Sequence, residues 1–254
     1  MKYLREMILQ LAVQGKLVPQ DENDEPASVL LEKIQTEKER LIQEGKIKRQ
    51  KPLPAITEEE KPFDLRKGWE WVRLNEIYDV RDGTHDSPKY QTHGYPLVTS
   101  KNLYTGKLDL IDVKLISESD YQQISLRSKV DKNDILFAMI GSIGNPVIVD
   151  TAFSIKNVAL FKYYDSSLSN PYYLLLVLKV ATNYFKSAST GGVQSFVSLK
   201  MLRNYVFALP PEKEIPRILA KIDSLLALCD QLESKLTQAR QTQEQFALIA
   251  TAME

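Results

Sequence analysis

The sequence predicts an α+β protein, with one globular domain of mixed α/β texture flanked by N-terminal helices and a long C-terminal coiled-coil helix. Three observations predict it. Apolar residues recur at helical spacing near the N-terminus, short β-rich runs separated by turns fill residues 69–211, and a seam stepping by 3 and 4 runs through residues 212–254. With 254 residues, 43% hydrophobic and 26% charged, the chain can build a packed core, and wholesale disorder is excluded.

Leu4, Met7, Ile8 and Leu11 share one face of a first helix, which Gly15 can stop. Asp24-Glu25-Pro26 opens a second helix, with Pro26 at its first position, Leu30, Ile34 and Leu41 on its apolar face and Gly45 at its end. Residues 1–51 are assigned to this helical arm and 52–68 to a linker; the whole stretch from Lys46 to Lys67 is expected as an exposed strap. Strands are expected at Trp69–Leu74, Tyr95–Ser100, Ile135–Ile140, Val147–Val149, Val158–Lys162 and Tyr205–Leu209. Ser117 caps a short helix, and Ser169 with Pro171 opens one reaching about Ser187. In the last segment Ile218, Ile222, Leu225, Cys229, Leu232, Leu236 and Phe246 fall on one a/d seam, with proline confined to the first turn or before it. A helix about 60 Å long with one apolar seam needs a second helix, from this chain or another. The pattern is still running at Thr251-Ala252-Met253-Glu254, as in a truncated chain or the first half of a longer subunit.

One cysteine, Cys229, excludes an intramolecular disulfide framework and a Cys-cluster zinc site; two histidines leave little for a His-rich metal site. No apolar run reaches the roughly 18 residues that span a bilayer, and the amphipathic start is unlike a signal peptide, so no membrane association and a cytoplasmic location are expected. Basic and acidic residues number 33 each; residues 69–211 carry 15 basic and 13 acidic groups. So slight a surplus predicts modest nucleic-acid affinity unless a partner adds positive charge.

Catalytic signatures are thin. Asn170-Pro171-Tyr172-Tyr173 has some likeness to an amino-methyltransferase motif but lacks the second proline, and there is no P-loop. Asp109, Asp112 and Lys114 leave open a metal-dependent nuclease, and the seam leaves open a protein-binding adaptor. Three polar loops instead carry the chemistry of nucleic-acid readout. The first, residues 82–90, offers Thr84, His85, Lys89 and Tyr90; the second offers Ser100, Lys101 and Asn102; the third offers Thr190, Gly191, Gly192, Gln194 and Ser195, followed by Lys200. Paired glycines admit a phosphate closely, Gln194 can pair with adenine, and hydroxyls and ammonium groups serve bases or phosphates. No catalytic and no metal-ligating residue is assigned.

The stretches LREMILQLAVQGKLVPQDENDEPAS at 4–28, GWEWVRLNEI at 68–77, DGTHDSPKY at 82–90, PLVTSKNL at 96–103, NDILFAMIGSIGNP at 133–146 and LPPEKEIPRILAKID with LLALCDQLE within 209–233 occur in a specific order. In that order the chain resembles the specificity (S) subunit of type I restriction–modification systems, over nearly its whole length. It departs at Arg66, at Asn75 and at Glu214-Ile215-Pro216. The resemblance implies that residues 69–211 are a target recognition domain reading one half-site of double-stranded DNA, and 212–254 a spacer helix. It implies a non-catalytic scaffold, half-sized or the N-terminal half of a full subunit. Modification (M) subunits would bind S-adenosylmethionine and methylate adenine. A restriction (R) subunit would use ATP and Mg, leaving no cofactor on this chain. A second long helix, in another copy if need be, would pair antiparallel with the seam, and M subunits would dock on the outer helix faces and around Leu4, Ile8 and Leu11.

Overall fold

The computed structural model describes residues 1–189 and 196–251, the last six without their side chains. In chain order the elements are α1 (Lys2–Val13), α2 (Ala27–Gln43), β1 (Glu70–Arg73), α3 (Leu74–Ile77), β2 (Tyr78–Asp82), β3 (Tyr95–Val98), β4 (Lys114–Ile116), α4 (Glu118–Ser128), β5 (Ile135–Ala138), β6 (Gly144–Ile148), β7 (Ser154–Ile155), β8 (Val158–Tyr163), α5 (Pro171–Ala188), α6 (Leu199–Asn204), β9 (Val206–Leu209) and α7 (Glu214–Thr251). This is the mixed α+β architecture expected, with helices on both sides of a β-rich domain.

A four-stranded antiparallel sheet, ordered β2-β8-β5-β6, forms the centre. Its two inner strands, β8 and β5, carry the apolar runs Val158–Phe161 and Ile135–Ala138 because both faces are covered. Ile135, Phe137, Ala159 and Phe161 face the larger core with α5, while Leu136, Ala138, Val158 and Leu160 face a second core beneath the small sheet β4-β3-β7. Phe137 meets Phe185 of α5 edge-on at 5.5 Å. At Gly144 the φ is +104° and a Cβ would collide with Thr182, so glycine lets α5 settle on β6. Asn170, rather than Ser169, caps α5: its side-chain oxygen accepts the N–H groups of Tyr172 and Tyr173 at 3.0 and 3.2 Å. Asn170-Pro171-Tyr172-Tyr173 is therefore a helix start.

The first and last strands of the domain, β1 and β9, pair antiparallel from Glu70↔Leu209 to Arg73↔Val206. That ribbon brings the entry and exit of the domain together, and the helical arm packs there. Pro26 sits just before α2 as its extended cap, not at the first helical position, and Ala27 N–H bonds the Gly68 carbonyl at 2.7 Å. Trp69, 4% exposed, donates its indole N–H to Glu214 at 3.0 Å. Burial pushes the Glu214 carboxyl up, against the pull of that hydrogen bond. The unusual Arg66 takes the Gly15 and Val18 carbonyls at 2.5 and 3.1 Å, closing the end of α1. The strap between α2 and β1 is largely exposed, as expected, but its backbone is pinned: buried Arg73 binds the Pro54 and Ala55 carbonyls and the Glu60 carboxylate.

Along α7 the seam is divided. Ile218, Ile222 and Cys229 are buried within this chain and Leu225 is half-buried, whereas Leu232 and Leu236 are about half exposed. The partner of the first part is α1 of the same chain. It runs antiparallel to α7, with Arg5 bound to Asp230 and Glu233 at 2.6 and 2.9 Å and the α1 end near Trp69 and Glu214. Helix pairing through Ile218, Ile222 and Cys229 is thus internal, correcting the expectation that the whole seam faces another long helix. Ile8 is likewise buried in the chain's own core; Leu4 and Met7 remain partly exposed at 39% each. The Phe246 side chain lies outside the described residues.

Candidate nucleic-acid interface

Beside the small sheet β4-β3-β7, five loops surround an open groove of about 820 Å³. Tyr90 comes from the loop after β2, Thr99 to Asn102 from the turn after β3, and Asp112 and Lys114 from the start of β4. Ile140 to Ser142 come from the β5–β6 turn, and Lys156 with Asn157 from the turn between β7 and β8. Three ammonium groups, Lys101, Lys114 and Lys156, line it against one carboxylate, Asp112. Tyr90 and Tyr104, 51% and 69% exposed, stand on its wall. The Lys114 ammonium lies 5.9 Å from the Tyr90 ring centroid. The slight positive surplus of the domain is therefore gathered into one concave surface, which focuses its field on an anionic ligand.

Two of the loops that sequence reasoning selected meet here, through contacts that separate residues free to bind from residues already engaged. Lys101 and Tyr90 line the groove, as does Ser100, whose hydroxyl donates only a long 3.5 Å hydrogen bond to the Asn157 carbonyl. Asn102 also lines it, but both ends of its amide are used within the chain: the oxygen accepts Thr99 N–H at 2.9 Å and the nitrogen donates to the Asp109 carbonyl at 3.0 Å. Its role is to hold the loop. His85 is engaged too, one ring nitrogen 2.9 Å from the Asn157 side-chain oxygen and the other 3.0 Å from Asp82, which also binds Arg127. Thr84 pairs with Lys156 and exchanges backbone hydrogen bonds with Ile155 and Asn157. Thr84 and His85 thus tie the first loop to the β7–β8 turn. Lys89, exposed within the first loop, and Lys200, exposed in the first turn of α6, are not among the groove residues. Thr190, Gly191, Gly192, Gln194 and Ser195 lie outside the described residues; Phe196, just after them, bridges to Ile140 on the groove wall.

Sequence reasoning missed Lys156, Asn157 and Tyr104 and placed Lys114 in a nuclease reading. The first two sit in a turn that Asn157 makes with a φ of +54°, and asparagine in such a turn is the one local signal that could have marked it. Of the two carboxylates in that nuclease reading, Asp112 lines the groove with Lys114, whereas Asp109 accepts the Ile111 N–H at 2.9 Å as a turn residue. Among the described residues no three His, Cys, Asp or Glu side chains are grouped so as to hold a metal ion, and no helix is long and apolar enough to cross a membrane.

Gly83 controls how closely the first loop approaches the groove turn. A Cβ there would collide with the Ile155 carbonyl and crowd the Lys156 nitrogen. Gly83→Ala should cost about 1–3 kcal/mol of stability and displace Lys156, which urea unfolding and DNA titration of the same sample would read together.

The model of the type I restriction modification DNA specificity domain matches residues 66–239. The specificity subunit of the type I restriction enzyme EcoAI from Escherichia coli is 38% identical over 261 residues, 96% of this chain and 43% of that protein. The EcoEI specificity subunit, also from Escherichia coli, is 34% identical over 262 residues with the same shares. The chain spans less than half the length of these curated relatives. Among solved structures, the HsdS subunit from Thermoanaerobacter tengcongensis aligns with a TM-score of 0.52 at 20% identity over 91% of this chain and 50% of that one. A chain from work on complex assembly and conformational transition of the type I R-M system gives 0.54 at 19% identity over 91% and 52%. These two likenesses establish a shared fold, and with the family model reaching from Arg66 in the strap to Ala239 in α7, the chain belongs to the type I restriction modification DNA specificity family.

Proposed function

We propose that this chain reads one half of a two-part sequence in double-stranded DNA through the groove of its β-rich domain and presents that DNA to a separate methyltransferase subunit. The carrying observation is the groove itself: three lysines, one carboxylate and two exposed tyrosines on a domain of the specificity family. Lysines supply the sequence-independent, salt-sensitive part of binding. Ser100, Tyr90 and Tyr104 present hydroxyl groups suited to base edges or phosphates. In this proposal the chain is non-catalytic, S-adenosylmethionine binds the modification subunit, ATP and Mg serve the restriction subunit, and the assembly works in the cytoplasm.

The second half-site would be read by another recognition domain carried on a helix antiparallel to α7. The half-exposed Leu228, Leu232 and Leu236, beside and beyond the first turn of α1, offer that helix an apolar strip. If a second copy fills this place, Leu232→Asp should leave chain stability within about 0.5 kcal/mol, as for a surface change, and abolish self-association in sedimentation. A mutant that still dimerises puts the interface elsewhere.

Tritiated methyl transfer tests the whole proposal. With chain alone, modification subunit alone and both together, only the mixture should methylate at a defined sequence. Transfer by the chain alone, or sequence-specific transfer by the partner alone, would overturn it.

A further inference from the structure

Among the described residues Ile111 is the most exposed large apolar side chain, at 90%. A lone exposed isoleucine is ordinary on a protein surface; its setting here is not. Ile111 and Asp112 form the turn that leads into β4, and Asp112 and Lys114 line the groove. The loop is held at its base, where Asp109 N–H bonds the Asn102 carbonyl at 2.9 Å and the Asn102 amide bonds the Asp109 carbonyl at 3.0 Å. The Asp109 carboxylate fixes the turn through the Ile111 N–H at 2.9 Å. Leu108, Leu110 and Val113 pack inward against the second core. Ile111 alone of these points out, on a braced turn whose next residue, Asp112, lines the lysine-bearing groove.

We propose that Ile111 is a wedge that enters the DNA between two base pairs and opens a kink. The proposal rests on the DNA-reading role argued above and adds the manner of reading: sequence preference would include how easily one base step unstacks. The ligand chemistry follows from the surroundings. The groove that Asp112 and Lys114 enter carries three lysines against one carboxylate, a setting that suits phosphates better than a protein's apolar patch, and a base step is a flat apolar surface between rows of phosphates. Branched aliphatic side chains act this way in proteins that bend DNA, and pyrimidine–purine steps yield most readily.

The test uses the full chain with its modification subunit and a duplex carrying the sequence that this complex methylates. 2-Aminopurine replaces bases in turn along the duplex, and end-labelled duplexes report bending by energy transfer. One step should brighten on binding, with a bend, for the natural chain and for Ile111→Leu. Ile111→Ser should lose both signals and bind about tenfold more weakly, with unchanged melting and an unchanged salt slope. The wedge is overturned if no position brightens, if Ile111→Ser keeps the signals, or if that variant weakens only the association with the modification subunit. Failure of the DNA-reading role looks different: the natural complex would select no duplex at any salt concentration, and both proposals would fall.

Discussion

A variant with Lys101→Ala, Lys114→Ala and Lys156→Ala should bind target and unrelated duplexes more weakly by about two to three orders of magnitude near physiological salt, with the logarithmic salt slope shallower by about three. Each lysine lines the groove, and each is expected to displace roughly one counterion from a phosphate. The chain's melting should barely move: Lys101 and Lys114 are exposed, and Lys156 gives up only a 2.5 Å hydrogen bond to Ser87. Lys200→Ala is the control. It removes the same charge from α6 without touching a groove residue, so its slope should change far less. Equal effects from Lys200 and from the groove lysines would mean that DNA lies on some other face. Titrations of fluorescent duplex at several salt concentrations, in the presence of the modification subunit, give both numbers.

Arg73→Met should cost about 3–5 kcal/mol, the range for breaking a buried ion pair from one side. Arg73 is 1% exposed, and its guanidinium spends all five N–H donors: on the Pro54, Ala55 and Asn204 carbonyls and on both oxygens of Glu60. Methionine fills much of the volume but removes all five donors from those acceptors, leaving Glu60 only the Thr57 N–H. Lysine should not rescue it, because one ammonium cannot reach acceptors spread around a planar fork. Urea unfolding gives the loss, and limited proteolysis should cut the released strap near residues 52–61. Acid titration adds an independent check. The hydrogen bond from Arg73 holds the Glu60 carboxyl below the usual carboxylate range. A carboxylate with a depressed folded-state pKa stabilises the fold above its unfolded-state pKa, and that contribution drains away as pH falls through the folded-state value. The natural chain should therefore lose stability on acidification below about pH 5, and Arg73→Met should show a shallower loss over the same window. Parallel curves would assign the acid sensitivity to other carboxylates.

Periodic elements were legible in the residues and aperiodic ones were not. The helices α1, α2 and α7 announce themselves because apolar positions at steps of 3 and 4 are a property of each helix alone. Strand β2 does not: Tyr78-Asp79-Val80-Arg81-Asp82 looks like a polar run, yet Asp79 and Asp82 are each only 7% exposed, paired with Arg81 and Arg127. Strands β4 and β7, of three and two residues, and the six-residue α6 are too short to show a period. In the candidate site, Tyr90, Ser100 and Lys101 could be picked out as polar loop residues. Nothing local distinguished them from His85 and Asn102, whose polar groups turn out to be used inside the chain.

By itself the sequence determined the α+β class, the order of arm, β-rich domain and long helix, the absence of a disulfide framework, and, through the ordered stretches from Leu4 to Glu233, the family. Only the tertiary structure decided which partner takes the first half of the α7 seam. A heptad pattern states that an apolar strip must be covered but carries no information about what covers it, and α1 does so because the β1–β9 ribbon brings both arms to one end of the domain. Only the tertiary structure, too, assembled the groove. Lys101, Lys114 and Lys156 lie on separate turns, and their shared field exists because β4, β3 and β7 form one sheet whose neighbouring loops open on the same side. Charge at a distance in sequence becomes a binding surface only when long-range strand pairing sets the separation, and separation is what Coulomb interactions respond to.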